Sequence, residues 1–313
     1  ALLADLFCRP VGAHDLWKDV PGKVKICYDD RDDRKQRSLS SLFFYGDGKT
    51  AWKRAWRVQK RERRMEERKL EKSPIIYYIS GGEKREWILF LHAAFVDHNM
   101  FARQVEDFGG QYNILLLDII GHGQSRKTKK GDGIEKMSVW IREILDAEKI
   151  EKIHLVGISL GAVLAQDFAN YYPEYVSSLA CFGGYNINNF DMTMQKENAG
   201  EQMRMMLRAL VSVRWFAKEN KKVSAYTKEA QDAFYEMNSH FPKSSFRYLA
   251  GLGHMVNVHP KRERNYPLII GCGEYDIPME KQAVWNWKAD EPQGEVVILK
   301  GAGHCVNMDV PEE

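Results

Sequence analysis

Ile153-His154-Leu155-Val156-Gly157-Ile158-Ser159-Leu160-Gly161 is the stretch on which the fold turns. Ile153 to Val156 is apolar without alternation, apart from one histidine, as in a strand covered on both faces. The helix-forming run from Leu160 to Tyr171 follows with no loop between. A serine flanked by Gly157 and Gly161 therefore stands where strand becomes helix. Such a turn strains the serine backbone and lifts its hydroxyl above the sheet edge. Side chains at the two glycine positions would clash with the neighbouring strand and helix, and the helix N-terminus directs free N–H groups at the same place.

The same texture extends on both sides. Ile75–Ile79, closed by Ser80-Gly81-Gly82, reads as a strand and turn, and Trp87–Leu91 as a buried strand. A short helix is expected around Met100–Phe108 and another buried strand at Ile114–Leu117, ending at Asp118. The helix from about Ile134 to Ala147 sets Met137, Ile141, Ile144 and Leu145 on one face. Leu179–Phe182, Leu268–Ile270 and Val296–Leu299 are further strands. Apolar strands alternating with helices imply an α/β fold: a mostly parallel sheet with helices on both faces. The alternation breaks over 186–264, which reads as an inserted helical cap above the sheet's carboxyl edge. There Met203, Met206, Leu207, Leu210 and Val211 recur at helical spacing, a stripe expected to form cap core, with Met203 and Met206 able to line an adaptable pocket. The core is then 74–185 with 265–313.

Charge sets the front of the chain apart. Residues 1–64 hold 16 Lys/Arg against 9 Asp/Glu, a net of +7, whereas residues 65–313 hold 30 against 34, a net of −4. The overall +3 therefore gives no nucleic-acid footprint across the main body. Residues 1–73 show no sustained period and read as a basic, irregular extension, disordered or weakly helical. A basic arm for an acidic partner is a second reading, and a natural start at Met65 a third. No run of eighteen apolar residues is present, so no membrane span is expected, and the first residues make a poor secretory signal. Five scattered cysteines without a Cys-x-x-Cys pair indicate neither a disulfide framework nor a zinc site, and fit a reducing cytoplasm.

A serine hydroxyl is a weak nucleophile and needs a base within hydrogen-bond reach. Nine histidines compete. His14 falls in the front segment and His154 within a strand. His92 and His122 sit at a strand end and in a tight turn and read as structural, while loop residue His98 could touch substrate. His240, His254 and His259 belong to the cap or its exit. Gly253-His254-Met255-Val256-Asn257 echoes Gly303-His304-Cys305-Val306-Asn307, but only His304 follows the last strand and the acid, in the order Ser, Asp, His. That acid is expected after Leu268–Ile270, where Gly273-Glu274-Tyr275-Asp276-Ile277-Pro278 offers two carboxylates. Asp276 is preferred because Ile-Pro opens the next helix and leaves the aspartate on the loop. Glu274 stays as the alternative.

Over residues 74–313 these motifs resemble the α/β-hydrolase fold family, most closely its small capped serine hydrolases: carboxylesterases, lactonases and proline iminopeptidases. His92-Ala93-Ala94-Phe95 resembles the family's His-Gly oxyanion loop, and Asp118-Ile119-Ile120-Gly121-His122-Gly123-Gln124-Ser125 its Asp-x-x-Gly-x-Gly-x-Ser loop. The resemblance implies that the backbone N–H groups of Leu160 and Ala94 form the oxyanion hole, with Phe95 and His98 beside the pocket. Ala93 replaces the usual glycine, so its backbone is expected to avoid positive φ. The family continues into a terminal helix where this chain stops, so a truncated C-terminal helix is expected.

The expected function is a serine hydrolase acting on a small acyl substrate, first a carboxylic ester, through an acyl-enzyme on Ser159 with His304 and Asp276. The mechanism calls for no metal and no organic cofactor. An amide, lactone or carbon–carbon hydrolase with the same triad, and a non-catalytic binding protein of the same fold, are the alternatives. The expected partner is a small-molecule acyl substrate, without nucleic acid or a membrane span. Oligomeric state is not legible.

Overall fold

The computed structural model describes residues 24–27, 65–80, 86–191, 200, 203–205, 207–259 and 264–313. Nine strands form one sheet in the order β1-β9-β8-β7-β6-β4-β5-β3-β2. The strands are β1 Val24–Cys27, β2 Glu66–Lys69, β3 Ile76–Ser80, β4 Trp87–Leu91, β5 Asn113–Leu117, β6 Ile153–Ile158, β7 Val176–Phe182, β8 Leu268–Gly273 and β9 Glu295–Leu299. From β4 to β9 every pairing is parallel, β3 runs antiparallel to β5, and β2 runs antiparallel to β3. β1 adds to the far edge, parallel to β9. The region expected to be irregular up to residue 73 thus contributes β1 and β2, and the sheet begins before Pro74.

The helices are α1 Ala102–Phe108, α2 Met137–Ala147, α3 Leu160–Tyr171, α4 Val213–Ser224, α5 Lys228–Asn238, α6 Phe246–Leu249, α7 Pro278–Asp290 and α8 Val306–Asp309. Period-two alternation along the buried strands splits the core into two layers. Leu89, Leu91, Leu115, Leu117 and Leu155 pack on one face with α2 and α3 residues such as Ile141, Leu145, Leu164 and Phe168. Ile88, Phe90, Ile114, Leu116, Val156 and Ile158 pack on the other with Phe101, Val105 and Val306. The apolar runs are continuous because both faces are covered.

Between β7 and β8 the described residues are helical or irregular, with no strand. Ser212 caps α4 by accepting from Trp215 N at 3.3 Å, and Thr227 caps α5 by accepting from Ala230 N at 3.3 Å. The apolar stripe expected as cap core is oriented the other way. Met203, Leu207, Leu210 and Val211 are exposed, while the small Ala209 is buried. Met206 lies outside the described residues. An apolar cleft of about 340 Å³ opens beneath the second core layer, lined by Phe90, Phe101, Val156, Phe182 and Val306, and holds none of the predicted site residues.

Candidate active site

The carboxyl ends of parallel strands are where an open α/β sheet places its ligands. Ser159 follows β6, Asp276 follows β8 and His304 follows β9, all at that edge. Ser159 has φ 54° and ψ −115°, a strained backbone for a residue with a side chain. Its N–H donates to Phe182 O at 2.8 Å, and its carbonyl accepts from Ala162 N at 2.8 Å. The flanking glycines answer to space. A Cβ on Gly157 would lie 2.3 Å from Gly161 O, and one on Gly161 would lie 2.0 Å from Leu91 O. The end of β4 therefore runs directly against the turn.

His304 Nδ1 donates to Asp276 Oδ1 at 3.0 Å. That oxygen also accepts from Ile277 N at 2.8 Å, and Asp276 is buried. With Nδ1 carrying the proton, Nε2 is left as the basic nitrogen. Burial by itself would lower the imidazole pKa. The charge and hydrogen bond of Asp276, with the charge of Glu280, outweigh it and raise His304 to about 9. Gly183, at φ 59°, leaves room for the ring, since a Cβ there would lie 3.0 Å from His304 Nδ1.

The alternatives fall into other roles. Glu274 accepts from Gly301 N at 3.0 Å and so braces the loop leading to His304. His254 is exposed on the cap despite its duplicated sequence context. His92 donates from Nδ1 to Ala93 O at 2.7 Å and accepts at Nε2 from Ile119 N at 2.9 Å, tying the β4 loop to the β5 loop. His122 is buried, donates to Ile120 O at 3.1 Å, and is pushed down to about 3 by burial. Both are structural.

Of the two expected oxyanion donors, Leu160 directly follows Ser159 and Ala94 lies on the loop after β4. Leu160 opens α3, so its N–H has no acceptor within the helix. Ala94 follows Ala93, whose N–H is spent on Met100 Sδ at 3.2 Å. Ala93 avoids positive φ, and the turn places it at Phe95 instead, at φ 70°. Phe95 meets the cap through Phe216, Phe241 and Phe246, with ring centroids 4.8, 5.2 and 5.4 Å away.

The pocket expectation fares differently at His98 and Met203. His98 is buried, stacked on Tyr78 with centroids 3.6 Å apart, and its Nδ1 is 2.8 Å from Asp118 Oδ1. Asp118 draws it in, and it braces the β5 loop rather than facing open space. Burial alone would raise the Asp118 carboxyl, but the His98 hydrogen bond and charge hold it down at about 2. Met203 stands on the cap's outer surface.

Two carboxylates escaped sequence reasoning. Glu280, in the first turn of α7, is buried within electrostatic reach of Asp276 and His304. Burial first, then the charge of Asp276, raises it to about 7 against the opposing pull of His304. Its Oε2 and Asp276 Oδ2 are both buried without a hydrogen-bond partner. Asp309 accepts from Gly303 N at 2.8 Å, from Tyr226 N at 2.9 Å and from Thr227 N at 2.7 Å. Cys305 N donates to Ser224 O at 2.7 Å. The residues on either side of His304 are thus tied to the α4–α5 junction of the cap. Among the described residues no group of three His, Cys, Asp or Glu side chains is arranged to hold a metal ion, and no helix is long and apolar enough to cross a membrane.

Residues 86–311 match the α/β hydrolase fold family, and the chain belongs to it. It is 22% identical over 268 residues to Epoxide hydrolase 1 of Caenorhabditis elegans, covering 78% of this chain and 66% of that protein. It is 20% identical over 244 residues to the "Uncharacterized carboxylesterase nap" of Bacillus subtilis (strain 168), covering 74% of this chain and 77% of the relative. Among solved structures, a thermophilic esterase from Thermogutta terrifontis superposes with a TM-score of 0.62 at 18% identity, covering 80% of this chain and 94% of the esterase.

Proposed function

We propose that this protein is a serine hydrolase that cleaves small carboxylic esters through an acyl-enzyme on Ser159. The observation that carries this is the 3.0 Å His304–Asp276 hydrogen bond on the two loops that share the sheet edge with the strained Ser159. In this reading His304 Nε2 takes the Ser159 proton as the oxygen attacks the acyl carbonyl. The tetrahedral oxyanion is held by the N–H groups of Leu160 and Ala94, and Asp276 stabilises the imidazolium without taking its proton. His304 then protonates the leaving alcohol, and water repeats the sequence on the acyl-enzyme.

The relatives named above include an epoxide hydrolase and a carboxylesterase. Epoxide opening calls for an aspartate nucleophile at the turn, and Ser159 stands there, which supports the ester reading. The buried free thiols Cys181, Cys272 and Cys305 suit a reducing compartment, so the cytoplasm is the proposed location. Steady-state hydrolysis of a p-nitrophenyl ester series tests the proposal. Ser159→Ala and His304→Ala should each lower kcat by on the order of 10⁴-fold or more with the fold intact, whereas His254→Ala should leave kcat unchanged. Wild-type rates in the serine variant, or a collapse confined to His254→Ala, would overturn the assignment.

A further inference from the structure

Among the described residues, the cap carries an exposed apolar face. Residues 203–205 and 207–211 are helical, and Met203, Leu207, Leu210 and Val211 fall on one side of that helix at i, i+4, i+7 and i+8. Each is between 54% and 71% exposed, while Ala209 on the opposite side is 2% exposed. A helix that buries its small residue and presents its large ones inverts the usual amphipathic arrangement of a globular protein. Trp215, at the start of α4 and 48% exposed, extends the surface, and the Arg208 guanidinium lies 5.9 Å from its ring centroid.

Charge distinguishes what can cover this face. Residues 203–223 contain six Lys/Arg and one Glu, a net of +5, within a body of net −4. Arg204, Arg214 and Lys218 are exposed, whereas Lys221 pairs with Asp232 of α5 at 2.8 Å and Lys222 with Glu219 at 2.9 Å. A second copy packed face to face would bring two such sets of cations together. Residues 1–64 of the chain are themselves basic, at +7. Exposed aliphatic side chains and a tryptophan, interspersed along 203–218 with exposed cations, match a surface that is apolar inside and anionic at its boundary.

We propose that this cap face, centred on Leu207, Leu210 and Trp215, docks the protein on anionic phospholipid bilayers. The cations approach the headgroups and the aliphatic side chains enter the acyl boundary. A consequence rests on the esterase reading above: a cap lying on the bilayer meets lipid-dissolved esters first.

The test is co-sedimentation of the full chain with vesicles of phosphatidylcholine alone and with phosphatidylglycerol added. Binding is expected with the anionic vesicles and much weaker without them. Leu207→Ser/Leu210→Ser keeps every charge of the chain, so attraction due only to the basic front segment would be unaffected. That variant and Arg214→Glu/Lys218→Glu should each reduce partitioning about tenfold or more. Circular dichroism should match the wild type. Hydrolysis of a short soluble ester should also be unchanged, which separates failure of docking from failure of the esterase reading. Absence of binding to anionic vesicles, or binding by either variant that stays at the wild-type level, would overturn the proposal. So would a concentration-dependent dimer in sedimentation velocity that the leucine variant abolishes, since the face would then be a self-interface.

Discussion

Glu280 and His304 form the pair of groups whose titration sets how the site responds to pH. A histidine acting as base must be neutral, and the carboxylates of Asp276 and Glu280 raise the pH at which it becomes so. Glu280→Gln removes one of those charges, so the acid limb of kcat/KM should move to lower pH by on the order of one unit. The stability effect has a definite sign. Glu280 ionises near 4.5 when unfolded and at about 7 when folded, so the folded state holds its proton longer. Its contribution to stability is therefore present below pH 4.5 and is lost as pH rises through about 7. The glutamine variant should gain in Tm over the wild type above pH 7 and not below pH 4.5. A pH–rate profile with an unmoved acid limb would show Glu280 to be only structural. None of this was legible in sequence, because a glutamate in a helix's first turn reads as an ordinary partner of the helix dipole. Ser159 was legible because the glycines on each side leave one reading: a Cβ at 157 or 161 would strike backbone.

Among elements, buried parallel strands were readable and exposed ones were not. Trp87–Leu91 and Ile153–Ile158 announce themselves as unbroken apolar runs because helices cover both faces. β2 is Glu66-Glu67-Arg68-Lys69, a charged edge strand held by pairing with β3 and by contacts from Arg68 to Glu148. No periodicity marks it. The cap helix shows the complementary limit. Its 3.6-residue period identified one apolar face at Met203, Leu207 and Leu210, yet periodicity does not say whether that face turns in or out. The link from cap to site also escaped the sequence, since Asp309 meets Gly303, Tyr226 and Thr227 only in three dimensions. Asp309→Ala would orphan several N–H donors at once. A stability loss of roughly 2–4 kcal/mol is expected by urea unfolding. Loosening of the His304 loop should lower kcat more than it changes KM. Unchanged kcat in a destabilised variant would confine Asp309 to a packing role.

At the scale of the whole molecule, the site draws on strands spread across the sheet. β6 leads to Ser159, β8 to Asp276 and β9 to His304, and the proposed oxyanion donor Ala94 follows β4. Among the described residues, β1 lies at one end of the sheet and pairs there with β9. A chain beginning at Met65 removes that strand with the basic front segment and keeps all four contributors. Its kcat/KM should stay within about twofold of the full chain, a shift worth only a few tenths of a kcal/mol in barrier height. An unfolded or inactive shortened chain would show that the front segment is integral to the domain. The serine nucleophile is open to a more direct measurement. The protein is treated with a fluorophosphonate, and its intact mass is followed by peptide sequencing in the mass spectrometer. A single adduct located on Ser159, absent from Ser159→Ala and slowed in His304→Ala, is predicted. No adduct, or an adduct on another residue that survives in Ser159→Ala, would contradict the mechanism at its first step.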